Sequence, residues 1–158
     1  MTMKTSRLSK NSFYMNLAQV ASLRSHDEET KVGSVLIKES SGAVIATGCN
    51  GFVRGADDNS LPTKRPNKYN YIIHSEENLI CNAAQHGISM EDTFVVCTMT
   101  PCCKCMRLLW QCGVKKVIAK DTYRDFNQVV SMEDLDIESS FTEEGYIQLI
   151  YKVKQHGQ

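Results

Sequence analysis

The sequence predicts an α/β fold in which helices cover both faces of one sheet. Strand-like runs and helical runs alternate along much of the chain, which is the pattern of α/β proteins. The length of 158 residues and the hydrophobic content of 42% suit one ordinary globular domain. No internal repeat or linker interrupts the pattern, so we expect a single domain over residues 1–158.

The first half of the chain predicts a helix, a hairpin and a long loop. A helix capped by Ser9 or Ser12 is expected to run to about His26. Its apolar positions in rough helical period are Phe13, Leu17, Val20, Ala21 and Leu23. Two strand-like runs flank turn residues within 32–48 and predict a β-hairpin. Residues 51–71 are polar and without period, and we expect a long ordered loop of functional importance there.

The second half alternates helical and strand-like runs before a less regular end. The predicted elements are a helix over 74–87, a strand over 93–100, a helix over 102–113, a strand over 114–120, a weak helix over 132–136 and a last strand over 146–153. Gly87 and Gly113 are expected to end the two main helices.

Composition and charge exclude several classes of protein. Lys+Arg and Asp+Glu balance at 18 each, so the chain lacks the field expected of a protein that grips polynucleotide through phosphates. No apolar run approaches the ~20 residues of a membrane span, and no hydrophobic segment follows the polar N-terminus. Seven cysteines include a closely spaced group that suits metal binding better than a disulfide framework. We therefore expect a cytoplasmic protein that acts on neither polynucleotide nor membrane.

Three cysteines in four positions indicate a metal site. Cys102 and Cys105 have C-x-x-C spacing, which lets two thiolates reach one zinc ion. Cys103 points about 100° away from its neighbours on a helix and is interpreted as a bystander. Alone, the pair is equally compatible with a redox couple or half of a structural zinc site.

His74 and Glu76 favour a catalytic metal. In the middle of a helix, residues two positions apart point in nearly opposite directions and could not face one site. This restriction is relaxed at the start of a helix, where the pattern places His74. His74, Cys102 and Cys105 would then hold one zinc and leave a fourth position for water, with Glu76 as a nearby base. The alternative is a core histidine beside an inert cysteine pair.

The combination of H-x-E and P-C-x-x-C, found at His74-Ser75-Glu76 and at residues 101–105, is the signature of zinc deaminases. With the hairpin "KVGSVLI" and the turn "ATGCNGFVRG", the chain resembles the cytidine/deoxycytidylate deaminase superfamily, and over about residues 24–124 its deoxycytidylate branch. The resemblance implies a cytidine-deaminase-like α/β/α sandwich of three layers around a mixed sheet. Cys49 and Ser75 depart from the usual Tyr and Ala of the family.

The resemblance also implies an activity and its ligands. Glu76 would move protons in the hydrolysis of dCMP to dUMP and ammonia, with Asn50 and Tyr123 contacting substrate. Members of this branch are typically hexamers activated by dCTP and inhibited by dTTP, with Mg²⁺ on the triphosphate. Arg54 and Lys68 are candidates for that effector site. Asn50 is alternatively a simple turn residue, and Tyr123 a surface tyrosine.

A local basic patch favours a nucleotide over a free nucleoside. Its members are Arg24, Lys31, Arg54, Lys64, Arg65 and Lys68, among which Arg24 and Lys31 are the candidates for substrate binding. Each of these, taken alone, is also compatible with a solvated surface charge. Competing hypotheses are another deaminase branch, acting on free cytidine or on a polynucleotide base, and a zinc scaffold without catalysis.

Overall fold

One mixed sheet of six strands forms the centre of the computed structural model, which describes residues 6–152. The strands are β1 (Gly33–Lys38), β2 (Val44–Cys49), β3 (Thr93–Met99), β4 (Val114–Asp121), β5 (Asp136–Phe141) and β6 (Ile147–Lys152). Their order is β2-β1-β3-β4-β6-β5, and within the described residues only β3 and β4 pair in parallel. The sheet is therefore mixed, as expected.

Four helices cover the two faces of this sheet. They are α1 (Lys10–Ser22), α2 (Ser75–Gln85), α3 (Cys103–Gln111) and the single turn α4 (Phe126–Val129). Because side chains alternate along a strand, Val35 and Ile37 pack in the cluster under α1, whereas Leu36 packs in the cluster under α2, α3 and α4. This confirms the predicted three-layer α/β/α sandwich. No helix within residues 6–152 combines the length and the apolar character needed to cross a lipid bilayer.

Helix α1 begins as predicted but ends earlier and buries a different face. The Ser9 hydroxyl caps it, accepting a hydrogen bond from the Ser12 N–H at 3.2 Å. The helix ends at Ser22 rather than His26. The predicted apolar positions Phe13, Val20 and Leu23 are exposed, and the buried side chains are Tyr14, Met15, Ala18 and Ser22.

The close approach of α1 to β1 explains which face of the helix is buried. A Cβ on Gly33 would lie only 1.9 Å from the Ala18 carbonyl oxygen, so this contact requires glycine on the strand. The Tyr14 hydroxyl also donates to the Gly42 carbonyl at 2.6 Å. These two contacts turn Tyr14 and Ala18 toward the sheet, and Val20 toward solvent.

The hairpin and the middle elements agree with their predicted positions. Gly42 turns the hairpin with φ +73°, and Gly87 and Gly113 end α2 and α3 with φ +64° and +102°. Residues 51–71 form a loop, as predicted, but the loop contains a 3-10 helix, Asn67–Asn70, that the sequence pattern did not indicate.

The C-terminal part corrects one prediction. The helix expected over residues 132–136 is wrong: α4 lies earlier, and the unpredicted strand β5 begins at Asp136. Strand β5 lies at the edge of the sheet, where only Ile137 among its residues is buried, so it lacks the apolar alternation of an inner strand. The last strand agrees with its prediction over Ile147–Lys152, and residue 153 lies outside the described residues.

Candidate active site

Two helix N-termini meet beyond the end of β3. His74 is the N-cap of α2, and Cys102 is the N-cap of α3. The Glu77 carboxylate fixes the first cap by accepting a hydrogen bond from the His74 N–H at 3.0 Å. Both residues precede their helices and have extended backbone. As predicted, His74 is therefore not held in the helical geometry that would point it away from Glu76. The unpaired N–H groups at the two N-termini favour negative charge between them.

His74, Cys102 and Cys105 form a group that fits a tetrahedral metal. The His74 Nδ1 atom lies 3.5 Å from the Sγ atoms of both cysteines. A tetrahedral zinc with ordinary bond lengths would place nitrogen and sulfur ligands roughly 3.6 Å apart. The spacing therefore matches zinc without rearrangement. Among residues 6–152 no other trio of His, Cys, Asp or Glu meets the same proximity criterion of 4.8 Å between ligand atoms.

The charge of this group also suits a cation. A hydrogen bond from Cys105 holds the pKa of Cys102 well below the ordinary value of a thiol, and the same bond holds the pKa of Cys105 above it. The hydrogen bond to Cys102 likewise raises the pKa of His74. The two sulfurs thus share one proton beside an imidazole, and a metal ion placed among them would replace that proton.

Glu76 lies in the first turn of α2 and is only 4% exposed. Burial in the protein raises the pKa of its carboxyl to about 7. A carboxyl with such a pKa exchanges a proton readily near neutral pH. The arrangement places a proton carrier beside the three candidate ligands.

The remaining cysteines lie outside the ligand group. Cys103 is half-buried, and its backbone N–H donates to the Asp125 Oδ2 atom at 3.0 Å. Cys97 is buried, whereas Cys81 is exposed. Cys49 and Cys112 are half-buried.

A cleft leads from this group to the surface. His74, Glu76 and Cys102 line its buried part, Asn50, Thr100 and Tyr123 line its walls, and Arg65 and Tyr69 are its exposed members. The Thr100 hydroxyl accepts a hydrogen bond from the Tyr123 N–H at 2.7 Å, which fixes the chain at that wall. The structure thus brings Asn50 and Tyr123 together with the four residues of the zinc-deaminase signature.

Asn50 is buried and ties two segments together. Its Oδ1 atom accepts from the Val32 N–H, and its Nδ2 atom donates to the Thr30 carbonyl, both at 2.9 Å. These bonds fix the strand entrance at residues 30–32 against the end of β2. A contact of Asn50 with substrate stays a prediction.

Ser75 shows how the chain accommodates a departure from the family pattern. Its buried hydroxyl lies 2.7 Å from the Ser34 hydroxyl and 3.2 Å from the Gly48 carbonyl. A side chain on Gly48 would meet the Ser75 carbonyl oxygen at 2.6 Å, so glycine lets α2 pack directly on the hairpin. Ser34 supplies the partner that a buried serine needs.

The predicted basic residues are distributed unequally. Arg24, Lys31 and Arg54 are exposed and outside the cleft lining, and the Lys31 ammonium donates to the Ser25 carbonyl at 2.7 Å. Their roles in binding substrate or effector stay predictions, and their positions outside the cleft do not support these roles. Arg65 and Lys68 do line the cleft.

Lys68 is engaged in a buried ion pair that the sequence did not indicate. Its ammonium lies 2.8 Å from Asp27 Oδ2, and both side chains are 3% exposed. Asp27 also accepts from the backbone N–H groups of Glu29 and Thr30. The pair thus fastens the 51–71 loop to the segment before β1. Because this ammonium is already paired, the predicted effector role of Lys68 has no free charge to rest on.

Sequence reasoning did not single out Asp27, Thr30, Tyr69 or Arg124. Thr30 and Tyr69 line the cleft, and Arg124 donates a hydrogen bond to the Tyr69 hydroxyl. Their positions follow from contacts between distant segments, which no periodicity records. The adjacency of Arg124 to Tyr123, and of Tyr69 to Lys68, was the available signal.

Comparison with known families agrees with this geometry. Residues 8–120 match the sequence model of the cytidine and deoxycytidylate deaminase zinc-binding region. The match covers His74, Glu76, Cys102 and Cys105, but it stops before Tyr123 and Arg124.

Curated relatives carry the same family name. A probable deoxycytidylate deaminase of Caenorhabditis elegans is 36% identical over 114 residues, which cover 70% of this chain and 56% of that protein. Human deoxycytidylate deaminase is 29% identical over 126 residues, which cover 75% of this chain and 69% of that protein. The chain spans less than two thirds of the nematode protein and of a Drosophila melanogaster relative, of which it covers 60%.

Solved structures show the same fold. The dCMP deaminase of cyanophage S-TIM5, in complex with dCMP and dUMP, matches with a TM-score of 0.64 and 27% identity. This match covers 80% of the present chain and 93% of the phage chain. The apo form of the phage enzyme matches with a TM-score of 0.66 and 25% identity.

The Asp27–Lys68 pair predicts a pH-dependent contribution to stability. Burial acts to raise the pKa of Asp27, but hydrogen bonds from Lys68 and two backbone N–H groups outweigh it and hold the pKa below the ordinary value of 3.8. The carboxylate therefore stabilises the fold above about pH 4 and loses this effect as the pH falls toward the folded value. Removing one partner of a buried pair costs about 3 kcal/mol or more.

Asp27→Asn should consequently lower the free energy of unfolding by about 3 kcal/mol at pH 7, and the deficit should narrow below pH 4. Urea denaturation at several pH values measures this. Asp58 forms an exposed ion pair with His26, so Asp58→Asn serves as the control. This variant should change the free energy of unfolding by no more than about 0.5 kcal/mol. A deficit for Asp27→Asn that is constant down to the lowest pH at which the protein folds would contradict this account.

Proposed function

Because the chain belongs to the cytidine and deoxycytidylate deaminase family, we propose that it is a zinc-dependent hydrolase that converts dCMP to dUMP and ammonia. The carrying observation is Glu76, a buried carboxyl with a raised pKa, beside three ligands at the base of a cleft. The relatives named deoxycytidylate deaminase, and the phage enzyme that holds dCMP and dUMP, support the choice of substrate.

The residues divide the reaction between them. His74, Cys102 and Cys105 would hold one zinc, which would supply Lewis acidity to the attacking water. Glu76 accepts the proton of the attacking water and passes protons to N3 of cytosine and to the departing amine. The C4–N bond breaks as C4 gains oxygen, so ammonia leaves and uracil forms. Asn50 and Tyr123 line the walls within which the base and sugar would lie.

The proposal is favoured over the two competing hypotheses by specific observations. A polynucleotide deaminase would need a broad basic surface, whereas this chain has 18 basic and 18 acidic residues. A structural zinc site has no need of a buried carboxyl beside its ligands, and Glu76 is such a group.

We also propose the setting in which the enzyme works. Residues 1–158 would act as one catalytic domain in the cytoplasm. All seven cysteines, which fall within the described residues, are free thiols, as suits a reducing compartment.

Regulation and assembly are proposed from the family resemblance. We propose a hexamer that dCTP activates and dTTP inhibits, with Mg²⁺ on the bound triphosphate. Arg54 is exposed and carries no ion pair among residues 6–152, so it is available to an anionic effector, in contrast to the buried Lys68.

Replacing Glu76 tests the proposed chemistry. Glu76→Gln keeps the size of the side chain but removes its proton transfer, so turnover of dCMP should fall by about 10³-fold or more. Metal content, measured by elemental analysis, should be retained. The matched variant Glu77→Gln can still accept the His74 N–H and should lose far less activity. Glu76→Gln with a tenth or more of wild-type turnover would remove Glu76 from this role.

Sedimentation and kinetics together test the regulatory proposal. The wild-type protein should sediment as a hexamer, and dCTP with Mg²⁺ should lower the dCMP concentration needed for half-maximal rate. Arg54→Gln should weaken this response. A monomer whose rate is indifferent to dCTP and dTTP would refute the regulation and leave the catalytic proposal intact.

A further inference from the structure

Two arginines converge on one tyrosine hydroxyl at the exposed part of the cleft. The Arg65 Nε atom donates to the Tyr69 oxygen at 2.8 Å, and the Arg124 Nη1 atom donates to the same oxygen at 3.0 Å. Arg65 precedes the 3-10 helix, whereas Arg124 follows β4, so separate segments of the chain build this cluster. We refer to Arg65, Tyr69 and Arg124 as the arginine cluster.

Within residues 6–152, the charges around the cluster leave Arg124 without an acidic partner. Lys68 is paired with Asp27, and Arg65 lies 3.5 Å from a Glu29 carboxylate oxygen. Arg124 has no carboxylate within 4 Å among residues 6–152, and it stacks instead on the rings of Tyr69 and Tyr123 at 5.1 and 5.2 Å. A guanidinium has five N–H donors, and among the described residues the Arg124 side chain forms one hydrogen bond, to Tyr69. The cluster therefore has an excess of donors and of positive charge.

The pKa of Tyr69 reflects the positive potential of the two arginines. Burial acts to raise the pKa of Tyr69, but hydrogen bonds from Arg65 and Arg124 outweigh burial and lower the pKa below its ordinary value. An oxygen with negative charge is thus favoured where the phenol oxygen lies. A phosphate supplies several such oxygens, and two guanidinium groups can bind them in bidentate geometry.

The position of the cluster in the cleft matches the layout of a mononucleotide. Glu76, His74 and Cys102 line the buried part, where the reacting base must lie, while Tyr69 is 43% exposed. Tyr123 connects the two regions, because it lines the cleft and its ring stacks on the Arg124 guanidinium. A nucleotide whose base reaches Glu76 would direct its phosphate outward.

We propose that Arg124 and Arg65 bind the 5′-phosphate of the nucleotide substrate, and that the Tyr69 hydroxyl holds the two guanidinium groups in place before the phosphate arrives. This inference rests on the proposed deaminase function and names the residues that select a nucleotide over a nucleoside. Arg124 lies outside the cleft lining, as Arg24 and Lys31 do, but it donates to Tyr69 and stacks on Tyr123, which both line the cleft. We therefore assign the phosphate to Arg124 and Arg65 rather than to Arg24 and Lys31. Arg124 also lies beyond the residues that match the family model, so family membership alone does not assign it.

Comparing a nucleotide with its nucleoside isolates the phosphate contact. Arg124→Gln should lower kcat/KM for dCMP by about 30- to 300-fold, mainly through KM, and leave kcat/KM for deoxycytidine within about twofold. Arg124→Lys should recover only part of the loss, because lysine keeps the charge but not the planar fork. Arg107→Gln removes the same charge from the exposed ion pair with Asp134 outside the cleft, and it should change neither value.

Calorimetric binding of dUMP and deoxyuridine separates this inference from the proposed function. Weaker dUMP binding by Arg124→Gln, with unchanged deoxyuridine binding, supports the phosphate assignment without relying on turnover. Equal dUMP binding by Arg124→Gln and the wild type overturns it, even if dCMP is deaminated. Wild-type protein that binds dUMP through Arg124 but releases no ammonia from dCMP would refute the deaminase proposal and leave phosphate binding standing.

Discussion

The proximity of one imidazole and two sulfurs at a pair of helix N-termini is the constraint on which the site depends. His74 and Cys102 cap α2 and α3, and Cys105 lies in the first turn of α3. The N-termini of the two helices must therefore lie next to each other. Gly48 contributes to this arrangement, because it lets the start of α2 approach the hairpin more closely than a side chain would allow. The lowered pKa of Cys102 and the raised pKa of Cys105 have the same cause, a hydrogen bond through which the two close sulfurs share one proton.

The cleft that leads to this group is shaped by a second set of polar contacts. The buried Asp27–Lys68 pair and the amide of Asn50 fasten the segment before β1 to the long loop and to the end of β2. These contacts satisfy buried polar groups that would otherwise be costly. They also determine where the arginine cluster lies, since Tyr69 directly follows Lys68. The contacts that stabilise this part of the molecule therefore also fix the position of the proposed phosphate-binding residues.

Sequence reasoning reached the candidate site more completely than the fold around it. The positions of His74, Glu76, Cys102 and Cys105 are set by short-range spacing and helix capping, which a sequence records directly. The partner of Lys68 lies 41 residues away and was not foreseeable from local pattern.

The fold shows the same limit. Helix α1 shows apolar residues on more than one face, and the choice between them was made by Gly33 on another element. Strand β5 was missed because an edge strand with one buried residue carries almost no hydrophobic alternation.

Zinc-edge X-ray absorption on the zinc-loaded protein tests the ligand group most directly. Two sulfurs at about 2.3 Å and lighter ligands at about 2.0–2.1 Å are expected, and Cys103→Ser should leave this spectrum unchanged. A shell of three or four sulfurs, or the loss of a sulfur on replacing Cys103, would contradict the assignment of His74, Cys102 and Cys105.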